Sequence, residues 1–412
     1  MTQNASLHGA DIDLFDTAGS VRTAERPQPL ILRVLSRLSL LMELWRLRRG
    51  PGQLSRDEYF ALRLFDNKIY KDVDKRAFVG IGAVRRIWFQ ANYRIDQFAL
   101  ANNKIASAIW FAAHGLPVLP TLAIFHEAVG RPNTRLLTND EELRAFLTDN
   151  RHYPLFGKPI DANRSVGSAS VESYIESHDS LMTTAGHLVS LSDFISFIKA
   201  HAATGYQFQS RTGPHASVRE ICGARLATVR LLTIINGGKP EVLRACWKVP
   251  AGENVADNFW RRGNLLAQLD MESGQVLRVI RDNGSGFEEI SHHPESGRRI
   301  LGTSVPNWSE IKKLAQDAAM LIADMPLVGW DIAPVDSGAV IVEANVTPDL
   351  QIHQMADRRG VLDPDLERFL QQRKIDAKMY YRACVSAGPS KASIVRECIR
   401  EAISVLTTNV PS

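Results

Sequence analysis

The stretch LVGWDIAPVDSGAVIVEAN at residues 327–345 decides how this chain is expected to fold. Two runs rich in β-branched and apolar residues flank Asp336-Ser337-Gly338, which predicts an antiparallel hairpin with a three-residue turn and a left-handed glycine. This turn would pair Asp331 with Glu343 across the hairpin. Asn345 lies two residues beyond Glu343 and therefore on the same face, because side chains alternate along a strand.

The convergence of these three oxygen-bearing side chains indicates a metal site. Two carboxylates directly opposite each other destabilise a sheet, and a divalent cation between them would remove that cost. Mg²⁺ prefers such hard oxygen ligands. The alternative is that both carboxylates face solvent on an edge hairpin, but the apolar opposite face of the hairpin favours a metal. The predicted metal ligands are Asp331, Glu343 and Asn345.

Helical and strand patterns are mixed along the rest of the chain. The spacing of apolar residues is helical over residues 29–100 and 361–408. Short β-branched runs around Asn236-Gly237-Gly238 predict a second hairpin, and Asn307 is positioned to cap a helix. This mixture predicts an α+β protein.

The bulk composition is that of a folded globular protein. The 412 residues suffice for two or three packed units, and 45% of them are apolar and 23% charged. A net charge of +4 without a long basic run does not indicate nucleic acid binding. Four scattered cysteines without metal-ligand spacing are expected to be reduced thiols, and the N-terminus lacks the pattern of a secretion signal, which together predict a cytoplasmic protein.

A leucine-rich segment at residues 29–49 predicts a helix with charged residues among its leucines. Arg33, Arg37 and Glu43 interrupt the apolar run, so the segment is too polar to span a bilayer. Packing on the rest of the protein is the commoner origin of such a pattern. Peripheral contact with an anionic membrane surface is the alternative, because basic residues flank an apolar helix.

The D-I-A…E-A-N pattern at 331–345 resembles the magnesium-binding end of the ATP-grasp superfamily, and the chain as a whole resembles the sugar-transfer-associated ATP-grasp family. The matching segments occur in order within residues 50–355, and the whole series is specific for this family. They are GLP at 115–117, FGKP at 156–159, ATVRLLT at 227–233, ADNF at 256–259, the Asp270…Ser273-Gly274 turn, HPESG at 293–297, VPNW at 305–308 and the hairpin segment GWDIAPVDSGAVIVEANVTPDL at 329–350.

This resemblance implies an ATP-grasp fold, in which two α+β lobes hold ATP in the cleft between them, with helical extensions at both ends. The implied boundaries divide the chain into five parts. They are a disordered tail at 1–28, a helical N-terminal region at 29–100, an N-terminal lobe at 101–205, a C-terminal lobe with the metal site at 206–360 and a helical C-terminal extension at 361–412.

The resemblance also implies the residues that contact ATP. Lys104 and Lys158 match the two lysines that contact the phosphates, and the loop 161–168 matches the flap that closes on them, although its single glycine departs from the glycine-rich form. Residues 206–210 match the linker beside the adenine, with a plain surface strand as the alternative. The implied ATP-binding residues are Lys104, Lys158, Ser165, Gly167, Ser168, Gln207, Phe208 and Gln209.

Arg230 lies among apolar residues on a predicted strand, and an arginine is costly to bury without an anionic partner. A phosphate or acyl phosphate would give it a catalytic role beside Lys158, whereas a structural salt bridge is the alternative. Five further residues are candidates for binding an anionic substrate, although a lone histidine is more often structural. They are His215, Lys248, Asn258, Arg261 and Arg262.

The implied chemistry uses ATP with Mg²⁺, or Mn²⁺ as the alternative ion. A small-molecule carboxylate attacks the γ-phosphate, and an amine or similar nucleophile displaces the acyl phosphate that forms; positioning and charge neutralisation supply most of the stabilisation. Phosphotransfer to a sugar-like hydroxyl and a non-catalytic nucleotide-binding scaffold are the alternatives. The family suggests a place in cell-surface polysaccharide or secondary metabolite biosynthesis, and the oligomeric state is left open.

Overall fold

The computed structural model describes residues 30–126, 134–160, 167–283 and 286–386. These residues form an α+β fold with two seven-stranded sheets, which confirms the predicted fold class. The predicted tail at 1–28, most of the predicted flap and the end of the C-terminal extension lie outside the described residues.

The helices and strands follow one another in a mixed order. The helices are α1 (Leu30–Arg49), α2 (Arg56–Ala61), α3 (Ile81–Ala91), α4 (Ile95–Asn102), α5 (Lys104–Ala113), α6 (Asp140–Leu147), α7 (Leu191–His201), α8 (Ala216–Cys222), α9 (Trp308–Leu321), α10 (Gln351–Asp357) and α11 (Pro364–Ser386). The strands are β1 (Thr121–Phe125), β2 (Arg135–Leu137), β3 (Leu155–Pro159), β4 (Ala169–Ile175), β5 (Ser180–Thr183), β6 (Leu188–Ser190), β7 (Tyr206–Ser210), β8 (Val229–Asn236), β9 (Lys239–Val249), β10 (Leu265–Leu269), β11 (Val276–Asp282), β12 (Phe287–Ile290), β13 (Leu327–Val335) and β14 (Gly338–Asn345).

The first sheet has the strand order β2-β1-β7-β3-β4-β5-β6. Helices α6 and α7 pack on one face through apolar side chains such as Phe146 and Ile198. Strand β7 pairs with β1 and with β3, so it is a central strand of this sheet. The predicted start of the C-terminal lobe at residue 206 is therefore wrong for β7, because its backbone completes the first sheet.

The second sheet has the order β12-β11-β10-β9-β8-β13-β14, and α9 covers one face over a core that includes Trp247 and Trp330. The predicted cap of α9 is corrected. Asn307 precedes the helix, but its side chain makes no cap hydrogen bond. Its amide donates instead to the carbonyl oxygens of Val335 (3.1 Å) and Gly338 (2.7 Å), which ties α9 to the β13–β14 turn.

The opposite face of the second sheet carries both helical extensions. The α1, α2 and α10 helices share a core with Cys246, Leu266 and Ile280, while α3 and α11 pack over Leu232 and Leu327. Alternation along β8, β9 and β13 turns polar side chains toward this face. A buried polar strip therefore lies among the apolar contacts of the extensions.

The β13–β14 hairpin has a different turn from the predicted one. Val335 pairs with Gly338, so the loop contains two residues rather than three. A bulge between Asp331 and Ile332 shifts the register and restores the pairing of Asp331 with Glu343. The predicted carboxylate pair is present because a bulge compensates for the shorter turn.

The predicted helix at 29–49 is present as α1, which packs on the protein through Leu40, Leu44 and Leu47. Among the described residues, no helix combines the length and the apolar content that crossing a bilayer requires. Two of the cysteines predicted to be reduced, Cys222 and Cys246, are free and buried.

Candidate active site

A cleft lies between the two sheets, where edge strand β14 faces β3 and β7 of the first sheet. The connection before β1 joins the sheets, because Ile341 N donates to Pro117 O (2.9 Å) and Val118 bridges to Ile341. The cleft opens to solvent, and together with that open solvent it offers about 310 Å³ of space that protein atoms do not fill. Its polar lining consists of Lys104, Ser107, Lys158, Gln207, Gln209 and Glu343.

Lys158 extends from β3 into this cleft. The register pairs it with Gln207 on β7, so both side chains share the face that lines the cleft. Burial lowers the pKa of Lys158 to about 8, Glu343 opposes that shift and Lys104 adds to it. Within the part of the chain that the structure describes, Lys158 Nζ has no hydrogen bond or ion pair, which leaves this group available to an anionic ligand.

Lys104 is the first residue of α5. The Asn103 side chain caps this helix by accepting hydrogen bonds from Ile105 N (3.2 Å) and Ala106 N (3.0 Å). Lys104 Nζ lies 3.5 Å from Glu343 Oε1. The structure thus brings together two predicted phosphate-binding lysines and one predicted metal ligand, all from distant parts of the sequence.

Two glutamines of β7 present hydrogen-bond acceptors to the cleft. Gln207 Nε2 donates to Thr121 Oγ1 (2.7 Å), while the Oε1 atoms of Gln207 and Gln209 are buried without a partner. Phe208 lies on the opposite face in the core of the first sheet, and the backbone of β7 is paired on both sides. The prediction that Phe208 contacts the nucleotide is therefore wrong, because alternation turns its ring away from the cleft.

The predicted flap is described only at its end, and Ser165 lies outside the described residues. Ser168 is half-buried directly before β4. Gly167 has a φ of 72° and its carbonyl oxygen accepts a hydrogen bond from Tyr206 Oη (2.8 Å). A Cβ atom at this glycine would lie 2.8 Å from the side chains of His201 and Pro159, so close packing requires glycine where the flap joins the sheet.

We expect Gly167→Ala to lower the free energy of unfolding by about 2–5 kcal/mol, through backbone strain and overpacking together. Gly186→Ala is the matched control, because Gly186 has a φ of 80° and a Cβ there meets nothing within 4 Å. The control should lose only the strain of about 1–2 kcal/mol. Urea unfolding of both variants checks this, and equal losses would show that the contacts with His201 and Pro159 contribute nothing.

Asp331 is the centre of a buried network of charges rather than an open carboxylate. Arg230 donates to it through Nε (2.6 Å) and Nη2 (2.9 Å), and Lys248 Nζ lies 3.1 Å from Oδ1. Burial would raise the pKa of Asp331, but Arg230 and Lys248 hold it below the usual range. The salt bridge that was the alternative interpretation of Arg230 is present, with Asp331 as its anionic partner, while a phosphate partner stays a prediction.

The oxygen donors beside this network fit a divalent ion. A carboxylate has about four lone-pair positions, and the contacts of Arg230 and Lys248 use three of those on Asp331. The Asn345 amide has its Nδ2 buried without a partner, and rotation of the amide presents its oxygen at the same place. The described residues contain no cluster of three His, Cys, Asp or Glu side chains for a metal, so a metal here depends on Glu343, Asn345 and the remaining position on Asp331.

The predicted substrate residues separate into those in or beside the buried network and those away from it. Lys248 belongs to the buried network, and Asn258 follows Asp257 in the loop beside it with Nδ2 buried and unpartnered. Arg261 is half-buried in the same loop, but Arg262 is exposed and donates to the carbonyl oxygen of Asn283 (3.4 Å).

His215 is at the start of α8, away from the predicted substrate residues of the network. Its ring accepts a hydrogen bond from Ser217 N (3.3 Å), and its backbone N donates to Pro334 O (3.0 Å) near the hairpin turn. The structure shows it as a helix cap, and its role in substrate binding stays a prediction.

Two residues were not predicted as functional: Asp257 within the network and His353 beside it. Asp257 accepts hydrogen bonds from Thr228 N and Oγ1, both at 2.6 Å, and lies 3.3 Å from Lys248 Nζ. The ADNF match at 256–259 was a signal that could have found it. His353 on α10 is fully buried with both ring nitrogens unpartnered, and burial, together with Arg230 and Arg244, lowers its pKa to about 3. No sequence pattern marks this histidine.

This chain belongs to the sugar-transfer-associated ATP-grasp family, whose sequence model matches residues 90–370. The comparison with curated proteins finds no match.

Among solved structures, the chain is similar to the D-alanine–D-alanine ligase from Coxiella burnetii, with 12% identity and a TM-score of 0.40, over 71% of this chain and 63% of the ligase. It is similar to the ATP-grasp ligase PsnB complexed with a phosphomimetic variant of minimal precursor, Mg and ADP, with 15% identity and a TM-score of 0.35, over 66% and 58%. It is also similar to the VanG D-Ala:D-Ser ligase from Enterococcus faecalis, with 14% identity and a TM-score of 0.36, over 66% and 63%. The chain therefore spans less than two thirds of the length of each of these three ligases.

Proposed function

We propose that this protein is an ATP- and Mg²⁺-dependent ligase that activates a small-molecule carboxylate as an acyl phosphate and joins it to an amine or similar nucleophile. One observation carries the proposal: Lys104 and Lys158 converge on Glu343 in a single cleft. Two cations beside an oxygen donor are what a nucleotide phosphate with its metal ion requires.

The charges around the cleft support an anionic ligand. Four cationic side chains, of Lys104, Lys158, Arg230 and Lys248, accompany the carboxylates of Glu343, Asp331 and Asp257, and Asp349 adds a negative charge that acts on Arg230. Lys158 is the cation that no described carboxylate pairs with, so we assign it to the phosphates. Gln207 and Gln209 offer acceptor oxygens that suit donors on the base.

Glu343 and Asn345 are the residues proposed to hold Mg²⁺, with Asp331 as a partial ligand and Mn²⁺ as an alternative ion. When bound, the ion would neutralise charge on the phosphate oxygens. Arg230 and Lys248 act on this site indirectly, because their contacts fix the orientation of Asp331. Preorganised charge of this kind is the usual main source of stabilisation in phosphoryl transfer.

The substrate carboxylate is proposed to bind beside the buried network, near Asn258 and His353. Asn258 Nδ2 and both ring nitrogens of His353 are buried without partners, and buried polar groups normally have them. Trp260 Nε1 donates to Asp349 Oδ2 (2.6 Å), which joins the loop of Asn258 to the segment before α10. Because the family is described as associated with sugar transfer, we propose a sugar derivative as the acid or the acceptor.

A screen of sugar acids and amino acids with Mg²⁺-ATP tests the proposal. An accepted acid should stimulate ADP formation, and added hydroxylamine should trap its acyl phosphate as a hydroxamate. A phosphorylated hydroxyl product without hydroxamate would identify the phosphotransferase alternative. Nucleotide binding without turnover under any substrate would identify the scaffold.

We expect nucleotide affinity to depend on Lys158 protonation. Its pKa is lowered to about 8, so the cationic fraction falls as the pH rises through that value, and affinity should weaken about tenfold between pH 7 and pH 9. Lys158→Arg is the control, because a guanidinium stays charged over this range and should flatten the profile. Calorimetric titration with ATP measures it, and the same slope in both proteins would assign the pH dependence elsewhere.

We expect His353→Leu to leave the free energy of unfolding unchanged or to raise it by about 1–3 kcal/mol, because the change removes unsatisfied buried nitrogens. Acid-stimulated ADP formation should fall about tenfold or more, through loss of a substrate contact.

The matched control is His293→Leu. This buried histidine has Nε2 3.0 Å from Pro250 O and accepts from Ser296 N at 3.4 Å, so its loss should cost about 1–3 kcal/mol of stability. If His353→Leu instead lost stability and kept full activity, His353 would be a packing residue only.

A further inference from the structure

Helix α1 is apolar on two opposite faces, of which the protein covers one. Leu40, Leu44 and Leu47 pack into the core shared with α2 and α10. The other face, here called the outer face, consists of side chains that are exposed by half or more. They are Leu38 (50%), Leu41 (57%), Met42 (54%) and Trp45 (56%).

Arginines border this outer face. At 3.6 residues per turn, Arg46 and Arg48 lie on either side of the apolar stripe and Arg49 lies at its end. All three are exposed, and the Arg49 guanidinium lies 4.3 Å from the centre of the Trp45 ring. The single acid of this part of the helix, Glu43, is turned toward the protein and pairs with Lys75. The outer face therefore combines large apolar side chains with positive charge.

We propose that the outer face of α1 binds the surface of an anionic lipid bilayer, with the helix lying in the plane of the interface. Leucine and methionine side chains would enter the acyl boundary, and the flanking arginines would reach the headgroups with their long side chains. Trp45 suits the same depth, because tryptophan is enriched at membrane interfaces. The inner leucines keep the helix attached to the second sheet, so the rest of the protein would be held at the lipid surface. This proposal does not depend on the proposed reaction.

A second copy of the chain fits this face less well than a lipid surface. A symmetric dimer through α1 would bring the arginines of both copies into one interface, and like charges placed together oppose association. Anionic headgroups supply the complementary charge, and each basic residue near such a surface strengthens binding about fivefold.

Co-sedimentation of the full chain with vesicles tests the proposal. We expect binding to mixed phosphatidylglycerol and phosphatidylcholine vesicles, weak binding to phosphatidylcholine alone, and loss of binding at high salt. The triple variant R46Q/R48Q/R49Q should bind roughly a hundredfold more weakly, and L41Q/W45Q at least about tenfold more weakly. The control L188Q/M379Q changes apolar residues exposed to a similar degree elsewhere, at 52% and 58%, and should bind like the native protein.

Three outcomes would overturn the proposal. They are no binding of the native protein to anionic vesicles, equal binding of the native protein and L41Q/W45Q, and equal binding to anionic and neutral lipid. Sedimentation velocity of the same proteins identifies the competing occupant: self-association that L41Q/W45Q abolishes, without vesicle binding, would assign the outer face to a second copy. The substituted residues are exposed, so thermal unfolding of the variants should match the native protein.

Discussion

Glu343→Gln is expected to lower Mg²⁺-dependent ADP formation at least about a hundredfold, the usual effect of removing one preorganised charge contact from an active site. Glu343 is the proposed metal ligand that faces both cleft lysines, with its carboxylate 3.5 Å from Lys104 Nζ. The amide keeps the shape of the side chain but is a much weaker ligand for Mg²⁺.

The same variant should separate metal binding from nucleotide binding. Without Mg²⁺, its affinity for ATP should be unchanged or higher, because Lys104 and Lys158 lose a competing negative charge. Glu272→Gln is the control, since Glu272 is exposed in the β10–β11 turn and should keep full activity. A Glu343→Gln protein that retained native turnover and the native Mg²⁺ dependence would remove this residue from the metal site.

Asp331→Ala should cost about 3–5 kcal/mol of unfolding free energy, because it leaves two buried cations without their shared anion. Arg230 and Asp331 are 11% and 7% exposed in their side chains, so water cannot replace the lost contact. The pKa of Asp331 is held below its usual range, so its contribution is present above about pH 4 and is lost only in stronger acid.

A double variant isolates the cause of that loss. Adding Arg230→Met to Asp331→Ala removes the stranded guanidinium and should recover part of the stability, so that the double variant is more stable than the sum of the single changes predicts. Asp317→Ala breaks an exposed pair with Lys313 on α9 and should cost less than about 0.5 kcal/mol. Urea unfolding measures the native protein, both single variants, the double variant and the control, and strict additivity would contradict a coupled network.

The candidate site could be predicted from sequence where local pattern carries the information. Period-two alternation assigned Asp331, Glu343 and Asn345 to one face of a hairpin, and the structure pairs Asp331 with Glu343. The bulge that makes this pairing possible had no sequence signal. It lies between Asp331 and Ile332, and neither residue is of a type that marks a bulge. The family resemblance indicated Lys104 and Lys158, which face the same cleft.

Contacts between distant segments were not predictable in the same way. The sequence left Arg230 with two candidate partners, and only the register of β8 against β13 places its guanidinium on Asp331. The central position of β7 and the turned-away ring of Phe208 likewise depend on which strands are neighbours. The outer face of α1 is another such case, because a helix with apolar residues on two opposite faces does not reveal which of them the protein covers.

By itself, the sequence determined the α+β class, the carboxylate hairpin and the family, because alternation, turn residues and motif order are local properties of the chain. The tertiary structure alone decided that Asp331 is shared by two buried cations, that His353 lies unpartnered near them and that one side of α1 is exposed. Partner choice and burial depend on residues far apart in sequence, whose meeting is set by packing rather than by local pattern.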